Sequence, residues 1–449
     1  MNVLVWLRSD FRLRDNPALA FAGRLGNVLP LVILDPEEWR QPDRSARHFD
    51  FMAEALSDLR LQMAEVGLPL VVRTGSAVEV LSRLCRNHQI TGLVSAGDAV
   101  THWARQRDAL VEDWALSAEI PWLRPKAVEG EVSWSPVSDV SEGQIPAARA
   151  LGLAPDPCPY RLKGGRDKAL DLAEVWLARH QLEQATSPIG GEKAGSRLSA
   201  HLALGTLSEG ELLAMSEGQV GPSARRLATR LAQRRQKRAE AARGSALDLW
   251  LAPPPPEDAP PEALTAFTTG RTGLPFVDAC LRSLMASGWA NPSARMMLAG
   301  VGLHLLGLDW RSCGHALARL CLDYDPAIHW PMMRQAALKL VGNPVQLGED
   351  HDPKGDFIRR WVPELASVPG PLIHRPWRWS GASQVLGRRY PEPLVDPTHS
   401  LKDARARLSP LMRRPATNLS RLHAANLLIE DVPPPLSTKG GQLSFDLRS

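Results

Sequence analysis

The sequence predicts an α/β domain with a parallel sheet, followed by a large all-α domain. Two observations lead to this prediction. Short apolar runs alternate with amphipathic segments up to about residue 130, whereas from about residue 166 apolar residues recur every three or four positions. The chain has 449 residues, too many for one hydrophobic core, so at least two domains are expected.

The first element is expected to be a strand at NVLVWL, residues 2–7. A helix follows, with Asn16 as its cap and Pro17 in its first turn. Alternating strands and helices with short links are typical of a parallel sheet covered on both faces, which binds ligands at the carboxyl ends of its strands. The later strands are expected at 27–35, 68–75 and 90–97, and the later helices around the spaced apolar residues of 49–63 and at 76–89 and 100–119.

The remaining chain divides by composition. Residues 131–165 are rich in Pro, Gly and Ser and lack a sustained period, so they are interpreted as an inter-domain linker. The helical pattern that follows predicts an all-α domain over 166–435, interrupted by the proline-rich loop 251–264. The tail 436–449 is expected to be flexible. These divisions leave 1–130 as the α/β domain.

Composition excludes several classes of protein. No apolar run approaches the roughly 20 residues of a membrane span. The N-terminus has no basic leader or cleavage site, and the five cysteines form no CxxC pair. We therefore expect a cytoplasmic protein without a metal site. The net charge of +4 is compatible with an anionic partner. The 14 tryptophans either pack in cores or stack on a flat ligand and relay electrons.

Two short stretches carry a physical signal of their own. Asp323 and Asp325 follow an apolar helical run, where a carboxylate is costly unless a partner neutralises it. In GSRLS, residues 195–199, a glycine turn opens into a helix whose free N–H groups are suited to phosphate. The alternatives are a structural ion pair for the aspartates and an ordinary helix cap for GSRLS.

Four stretches, in order along nearly the whole chain, resemble the photolyase/cryptochrome flavoprotein family. The resemblance implies a Rossmann-like antenna domain and an all-α domain that binds FAD. It also implies that the substrate is DNA containing pyrimidine dimers, and that an antenna chromophore of unknown identity is a possible second cofactor. The stretches are WLRSDFRLRDNPAL (6–19), GSRLSAHLALGTLS (195–208), GRTGLPFVDACLRSLMASGWANPSARMM (270–297) running on through LDWRSCGHALARLCLDYDPA (308–327), and GEDHDPKGDFIRRWVPEL (348–365) with IHRPW (373–377).

The resemblance also implies residue roles. It pairs Asp323 with Arg295 beside the flavin ring, since a guanidinium binds a carboxylate bidentately. It sets Asp325 near the polar edge of the ring and the FAD pyrophosphate against GSRLS. The complete set of implied cofactor residues is Ser196, Arg197, Leu198, Ser199, Trp289, Asn291, Arg295, Asp323, Asp325 and Trp330.

Three further residues are candidates for the chemistry. Trp310 matches the middle tryptophan of the family's electron-transfer chain, and Met296 matches a methionine of members that repair cyclobutane dimers. His329 falls where the family sets a residue against the flavin N5 nitrogen. The alternative for Met296 and His329 is a place in the core.

The sequence also departs from the family pattern. Other tryptophans of the electron-transfer chain are replaced, and Trp330, Trp377 or Trp379 are alternative routes. The residues that stack on or bond a flipped dimer are replaced as well. The arginine-rich run 225–243 either faces DNA phosphates or is a solvated helix face. The replaced positions are Met333 and Glu257 in the chain, and Gln233, Arg235 and Gln335 at the substrate.

These observations leave a preferred hypothesis and three alternatives. The preferred one is an FAD-dependent, blue-light-driven lyase that repairs cyclobutane pyrimidine dimers, active as a monomer. The first alternative is a cryptochrome-like photoreceptor that binds FAD without repair. The others are a decayed homologue that holds FAD weakly, and an unrelated nucleotide-binding α/β domain with a helical partner-binding module.

Overall fold

The computed structural model describes residues 1–97, 99–125, 133–179, 195–217, 222–243 and 259–412. The predicted positions Glu257 and 436–449, and most of the proline-rich loop, lie outside the described residues. Within the described ranges the predicted fold class is confirmed: a parallel sheet flanked by helices precedes an all-α region. The domain limits 1–130, 131–165 and 166–435 stay predictions.

The α/β domain is built on a five-stranded parallel sheet with strand order β3-β2-β1-β4-β5. The central strand is buried on both faces, which is why it reads as a continuous apolar run. The fifth strand is only two residues long, and the sequence pattern did not predict it. The strands are β1 (Asn2–Leu7), β2 (Asn27–Leu34), β3 (Val71–Thr74), β4 (Ile90–Ser95) and β5 (Trp122–Leu123).

Five helices cover this sheet. The first begins as predicted, because the Asn16 side chain accepts hydrogen bonds from the N–H groups of Ala18 and Leu19, and Pro17 is its first residue. The long third helix buries its three-to-four-spaced apolar face, including Phe49 and Leu56. The helices are α1 (Pro17–Leu25), α2 (Pro36–Trp39), α3 (Ala46–Glu65), α4 (Ala77–Asn87) and α5 (His102–Ser117).

The connection between the domains packs on the sheet. The Val28 N–H donates to the carbonyl of Ser135, and the Val137 N–H donates to the carbonyl of Val28. The chain therefore runs briefly beside β2. Further on, Arg161 pairs with Glu54 of α3 at 2.8 Å. The described part of the predicted linker is therefore anchored to the α/β domain.

The described parts of the second half of the chain are mainly helical. One turn, Val301–Leu305, is a π-helix that continues the twelfth helix. The helices are α6 (Arg166–Arg179), α7 (Ser199–Leu204), α8 (Glu209–Ser216), α9 (Pro222–Arg243), α10 (Ala263–Thr269), α11 (Pro275–Ser287), α12 (Pro292–Gly300), α13 (Trp310–Leu320), α14 (Pro326–Leu338), α15 (Pro344–His351), α16 (Asp356–Trp361) and α17 (Pro397–Met412).

A contiguous apolar core joins α10 to α16. A buried carboxylate organises its edge: Asp278 accepts hydrogen bonds from the N–H and hydroxyl of Thr272, from the Gly273 N–H and from the Tyr390 hydroxyl. A buried carboxylate is tolerated only when it is bonded in this way.

The two domains meet where α3 begins and α13 ends. Ser45, Arg47 and His48 donate hydrogen bonds to the backbone carbonyls of Arg319, Leu320 and Cys321, at 2.9, 2.9 and 2.8 Å. Carbonyls at a helix C-terminus have no partner inside the helix, so these side chains satisfy groups that would otherwise be orphaned. The α/β domain thereby fixes the segment that leads directly into Asp323.

Candidate functional site

The turn between α13 and α14 carries both aspartates. Leu317 and Ala318 accept the last backbone bonds of α13, after which the chain turns through Asp323 and restarts at α14 with Asp325 as its cap. The Asp325 side chain accepts from the N–H of Ala327 at 3.1 Å. Both carboxylates are buried, as expected for charges at the end of an apolar helix.

The partner of Asp323 is Arg295, on α12. The guanidinium donates to Oδ2 of Asp323 at 2.7 Å and, through Nε, to the carbonyl of Ala290 at 2.8 Å. Burial alone raises the pKa of Asp323, but the charge and hydrogen bond of Arg295 outweigh it, and the pKa lies below its usual value. Both groups therefore stay ionised inside the protein.

One atom of this pair is free to receive a ligand. The second oxygen of Asp323, Oδ1, is buried and accepts no hydrogen bond of ordinary geometry among the described residues, although the Ser199 hydroxyl is near enough to the carboxylate to help lower its pKa. Such an acceptor is costly unless a donor reaches it, and a carboxylate has room for several donors. The geometry thus leaves a buried, anionic acceptor beside a guanidinium.

The segment 195–199 lies against the start of α12. The side of Gly195 faces the indole ring of Trp289, which a Cβ would meet at 2.9 Å. Arg197 places its guanidinium 5.7 Å from the same ring and has a positive φ of 55°. Because this left-handed backbone cannot continue a helix, α7 begins at Ser199 and not at Ser196 as the pattern suggested.

The predicted cofactor residues fall into two neighbouring groups. Ser199 contributes to lowering the pKa of Asp323, so the 195–199 segment, Trp289 and the Arg295–Asp323 pair form the first group. Asn291 lies at its edge, where its side chain caps α12 by accepting from the N–H of Ala294. Asp325, His329 and Trp330 form the second group, at the start of α14.

Asp325 forms ion pairs with residues that the sequence analysis did not identify. Its Oδ2 atom accepts from Arg234 at 2.8 Å and from Arg238 at 2.6 Å, both on α9. Arg234 also approaches Glu209 of α8. These inward arginines are four residues apart and so share one helix face, a spacing that was readable in the arginine-rich run. The run is thus partly neutralised from within, whereas Arg235 is exposed.

An aromatic cluster surrounds His329. The rings of Trp310 and Trp330 meet edge to face with centroids 5.7 Å apart, and His329 lies 5.2 Å from Trp330. His329 is buried with its Nε2 atom 2.9 Å from the carbonyl of Gly314, and burial lowers its pKa to about 4. The imidazole is therefore neutral at physiological pH. Met333, in place of the family's tryptophan, is fully buried.

The remaining candidates occupy less distinctive positions. Met296 is partly buried and packs against the helical core. Gln233 and Gln335, which replace substrate-facing residues of the family, are exposed. Trp377 and Trp379 also pack partly buried against the core, and no ring contact joins either to Trp330 among the described residues.

A cavity lies between the two domains, and the sequence analysis did not predict it from particular residues. It opens at the carboxyl ends of β1 and β2, where ligands bind in such sheets. Its lining from the α/β domain includes Trp6, Arg8, Trp103 and Arg107, and the turn 322–326 closes it from the helical side. The lining residues Arg238 and Asp325 connect it to the second group of candidate residues.

The sheet side of this cavity is a stack of alternating indoles and guanidiniums. Arg107 lies 5.0 Å from the Trp103 ring and 4.9 Å from the Trp6 ring. Arg8 follows at 5.3 Å from Trp6 and 5.8 Å from Trp122. Stacked cation–π contacts hold both side chains rigid. The i, i+4 pair Trp103 and Arg107 on α5 was the signal in the sequence.

Fold and site together define a two-domain protein with a ligand-binding helical domain. A parallel-sheet α/β domain is joined to a helical domain that buries an arginine–aspartate pair with a free acceptor atom. Among the described residues, no cluster of His, Cys, Asp or Glu is arranged to hold a metal ion. No helix in the same ranges is long and apolar enough to cross a membrane.

Comparison with known proteins identifies the family. Residues 3–128 match the model of DNA photolyase, and residues 225–410 match the FAD binding domain of DNA photolyase. A deoxyribodipyrimidine photo-lyase of Streptomyces griseus is 30% identical, over 90% of this chain and 97% of the relative. A cryptochrome DASH of Gloeobacter violaceus is 27% identical, over 88% and 93%. The chain belongs to the photolyase/cryptochrome family.

A solved structure supports the fold. The archaeal photolyase from Sulfolobus tokodaii, whose structure holds two FAD molecules, superposes with a TM-score of 0.74. The alignment covers 91% of this chain and all of that one at 23% identity. The two-domain architecture is thus that of the family throughout.

The residues present fit an FAD molecule. The free Oδ1 of Asp323 is an acceptor suited to an N–H donor of a flavin ring, and Arg295 offers a fixed positive charge. Ser196, Arg197 and Ser199 supply hydroxyl and guanidinium donors suited to a pyrophosphate. The family assignment and this donor set agree that the helical domain binds FAD.

Proposed function

We propose that the protein is an FAD-dependent enzyme that uses blue light to split cyclobutane pyrimidine dimers in DNA. The observation that carries the proposal is the relative named deoxyribodipyrimidine photo-lyase, which aligns over 97% of its own length. The buried pair of Arg295 and Asp323 supports it, since this pair lies within the matched FAD-binding domain.

When bound, reduced FAD would supply the light-driven one-electron chemistry. The chain's own residues bind and orient. Arg295 and Asp323 hold the ring by charge and hydrogen bonding, and Trp289 with the 195–199 segment holds the phosphate-bearing part. Met296 contacts the flipped dimer. Trp310 carries electrons toward the flavin when it must be reduced.

Several positions favour the photoreceptor alternative. Gln233 and Gln335 offer no aromatic face on which a dimer could stack, and both are exposed. A relative of similar coverage is named cryptochrome DASH. In this alternative the same site binds FAD and responds to light, while DNA is left unchanged.

One experiment separates the two functions. The purified protein is assayed for bound flavin by its absorption spectrum, reduced, and illuminated with an oligonucleotide that contains one cyclobutane dimer. Repair predicts light-dependent loss of the dimer, absent in darkness. Bound flavin with an intact dimer after illumination contradicts repair and supports the photoreceptor. Absence of flavin after FAD is added contradicts both functions.

We also propose that the inter-domain cavity holds the antenna chromophore. Its wall of Trp103, Arg107, Trp6 and Arg8 is suited to a planar ligand, because indoles and guanidiniums both stack on rings. Both guanidiniums also pair with Asp108 at 2.7 Å, which fixes their planes and neutralises part of their charge. The Sulfolobus tokodaii photolyase, described as implying a novel light-harvesting cofactor, shows that a family member can hold a second chromophore.

The antenna proposal is tested by extraction. A second chromophore is expected in the heat-denatured supernatant of the wild-type protein, and Trp103→Ala is expected to reduce its amount relative to FAD. Trp114→Ala, on the same helix but outside the cavity lining, is the matched control. Equal amounts of second chromophore in both variants would exclude this wall as its site.

A further inference from the structure

A chain of hydrogen bonds leads from the aromatic cluster across the domain interface. The indole N–H of Trp330 donates to the hydroxyl oxygen of Tyr324 at 3.2 Å, and the Tyr324 hydroxyl donates to Oδ2 of Asp43. Tyr324 and Asp43 are both buried. The Trp330 ring also contacts the partly buried Trp310, so one indole touches two oxidisable side chains.

We propose that Tyr324 is a redox-active tyrosine that reduces oxidised Trp330 and passes its phenolic proton to Asp43. This inference rests on the proposed flavin chemistry for its natural oxidant, light-excited oxidised FAD. Trp330 lies beside His329, and the charges of Arg295 and Asp323 contribute to the pKa of that histidine. The relay therefore starts next to the site proposed for the flavin.

The step balances in electrons and protons. With FAD bound, the light-excited oxidised flavin would supply the oxidant: Trp330 would lose one electron to it and become a cation radical. Tyr324 then gives one electron to Trp330, while its O–H bond breaks and the proton bonds to the carboxylate of Asp43. The products are a neutral indole, a neutral tyrosyl radical, a protonated Asp43 and an electron held on the flavin.

The surroundings of Tyr324 require the proton to leave with the electron. Arg44 lies 5.9 Å from the tyrosine ring. If Tyr324 lost an electron and kept its proton, it would become a buried cation beside this guanidinium, which is unfavourable. His48 and His329 flank the ring at 5.9 and 5.4 Å, and burial lowers the pKa of each to about 4, so both are neutral. The carboxylate of Asp43 is the group bonded to the departing proton.

The composition of the chain makes the radical assignable. There are three tyrosines in all. Tyr160 is 63% exposed, and Tyr390 is fully buried and donates to the carboxylate of Asp278. Tyr390 is thus a matched control: another buried tyrosine bonded to an aspartate, with no tryptophan ring contact among the described residues.

The first test uses the flavin-loaded protein, frozen under illumination and examined by electron paramagnetic resonance. The wild type is expected to show a tyrosyl radical, which Tyr324→Phe loses and Tyr390→Phe keeps. Asp43→Asn keeps an acceptor oxygen but cannot take the proton, so the tyrosyl signal is expected to fall. Flavin content, read from the absorption spectrum, is matched between samples. A tyrosyl signal that persists in Tyr324→Phe overturns the proposal.

The second test does not depend on flavin. The full chain carrying Tyr160→Phe is oxidised by light-excited tris(bipyridine)ruthenium with persulfate. The proposal expects a tyrosyl radical that is lost in Tyr324→Phe and in Trp330→Phe but kept in Tyr390→Phe. A signal unchanged by either of the first two substitutions overturns the relay. If the protein holds no flavin, the proposed function fails while this test still decides the role of Tyr324.

Discussion

At the scale of single residues, the Arg295–Asp323 pair is the feature with the largest energetic consequence. Arg295→Ala leaves a buried carboxylate without its counter-charge, which typically costs about 3–5 kcal/mol. We expect a lower urea midpoint and a large loss of bound flavin. Arg295→Lys, which keeps the charge but not the planar fork, is expected to restore part of the flavin content. Unchanged flavin content in Arg295→Ala would exclude this pair from the cofactor site.

A second residue-scale prediction concerns acid stability. Burial lowers the pKa of His329 to about 4, from an ordinary value of 6.5. Between these values the unfolded chain binds a proton that the folded protein does not, so stability falls as pH decreases from about 6.5 to about 4. Each pKa unit corresponds to roughly 1.4 kcal/mol. His329→Gln is expected to flatten this part of the unfolding curve, measured by urea midpoints at pH 7.5 and 5.0.

His399→Gln is the control for that measurement. The His399 side chain is 75% exposed, so this variant controls for the replacement of a surface histidine by glutamine. His48 and His201 are also buried with pKa values near 4, and so the loss of one histidine flattens the curve only in part. Identical pH profiles for His329→Gln and the wild type would contradict the buried, neutral state of His329.

At the scale of elements, α9 is held to α14 by a shared carboxylate. Asp325→Asn preserves the cap of α14, since asparagine caps as well as aspartate, but removes the charge between Arg234 and Arg238. Arg234, which is 13% exposed, then keeps only its longer contact to Glu209, and Arg238, which is 35% exposed, loses its carboxylate partner, so we expect a cost of about 1–3 kcal/mol. We expect faster amide hydrogen exchange along α9, measured by mass spectrometry.

The exposed ion pair on the same helix provides the comparison. Arg235 bonds to Glu209 with 58% of its side chain exposed, and such pairs contribute about 0–1 kcal/mol. Arg235→Gln is therefore expected to leave exchange in α9 nearly unchanged. Equal exchange rates in Asp325→Asn and Arg235→Gln would show that Asp325 does not anchor this helix.

The helices also show which structural features could be predicted from the sequence and which could not. The start of α1 was predictable, because the signal of Asn16 and Pro17 is local and the cap needs no distant partner. The pairing of Arg295 with Asp323 was predictable only through a family resemblance. The pairing of Arg234 and Arg238 with Asp325 was not predictable, because a run of charged residues does not reveal which distant carboxylate lies against it. The start of α7 was missed because nothing in the sequence announces a positive φ at Arg197.

At the scale of the whole molecule, the α/β domain supports the site on the helical domain. Three side chains at the start of α3 bind the carbonyls of residues 319–321, and Tyr324 bonds to Asp43. Pattern analysis treats each domain alone, which is why these contacts, and the cavity between the domains, were invisible in the sequence. They imply that flavin binding and the stability of the domain interface are linked.

Arg47 tests this link. It is 2% exposed, pairs with Asp156 at 2.6 Å and donates to the carbonyl of Leu320. Arg47→Met keeps most of the volume but leaves both acceptors without their donor, which we expect to cost about 3–5 kcal/mol. Because the weakened contact joins the domains, the single calorimetric transition expected of the wild type should split or broaden, and flavin content should fall with it.

Lys163→Ala is the matched control for Arg47→Met. Lys163 pairs with Glu54 of α3 at 3.3 Å, but 70% of its side chain is exposed, so the pair contributes at most about 1 kcal/mol. The control is expected to retain the wild-type calorimetric trace and flavin content. If Arg47→Met lowers stability as expected but keeps full flavin content, the interface stabilises the fold without positioning Asp323. A loss of both together means that the α/β domain holds the turn on which the cofactor site depends.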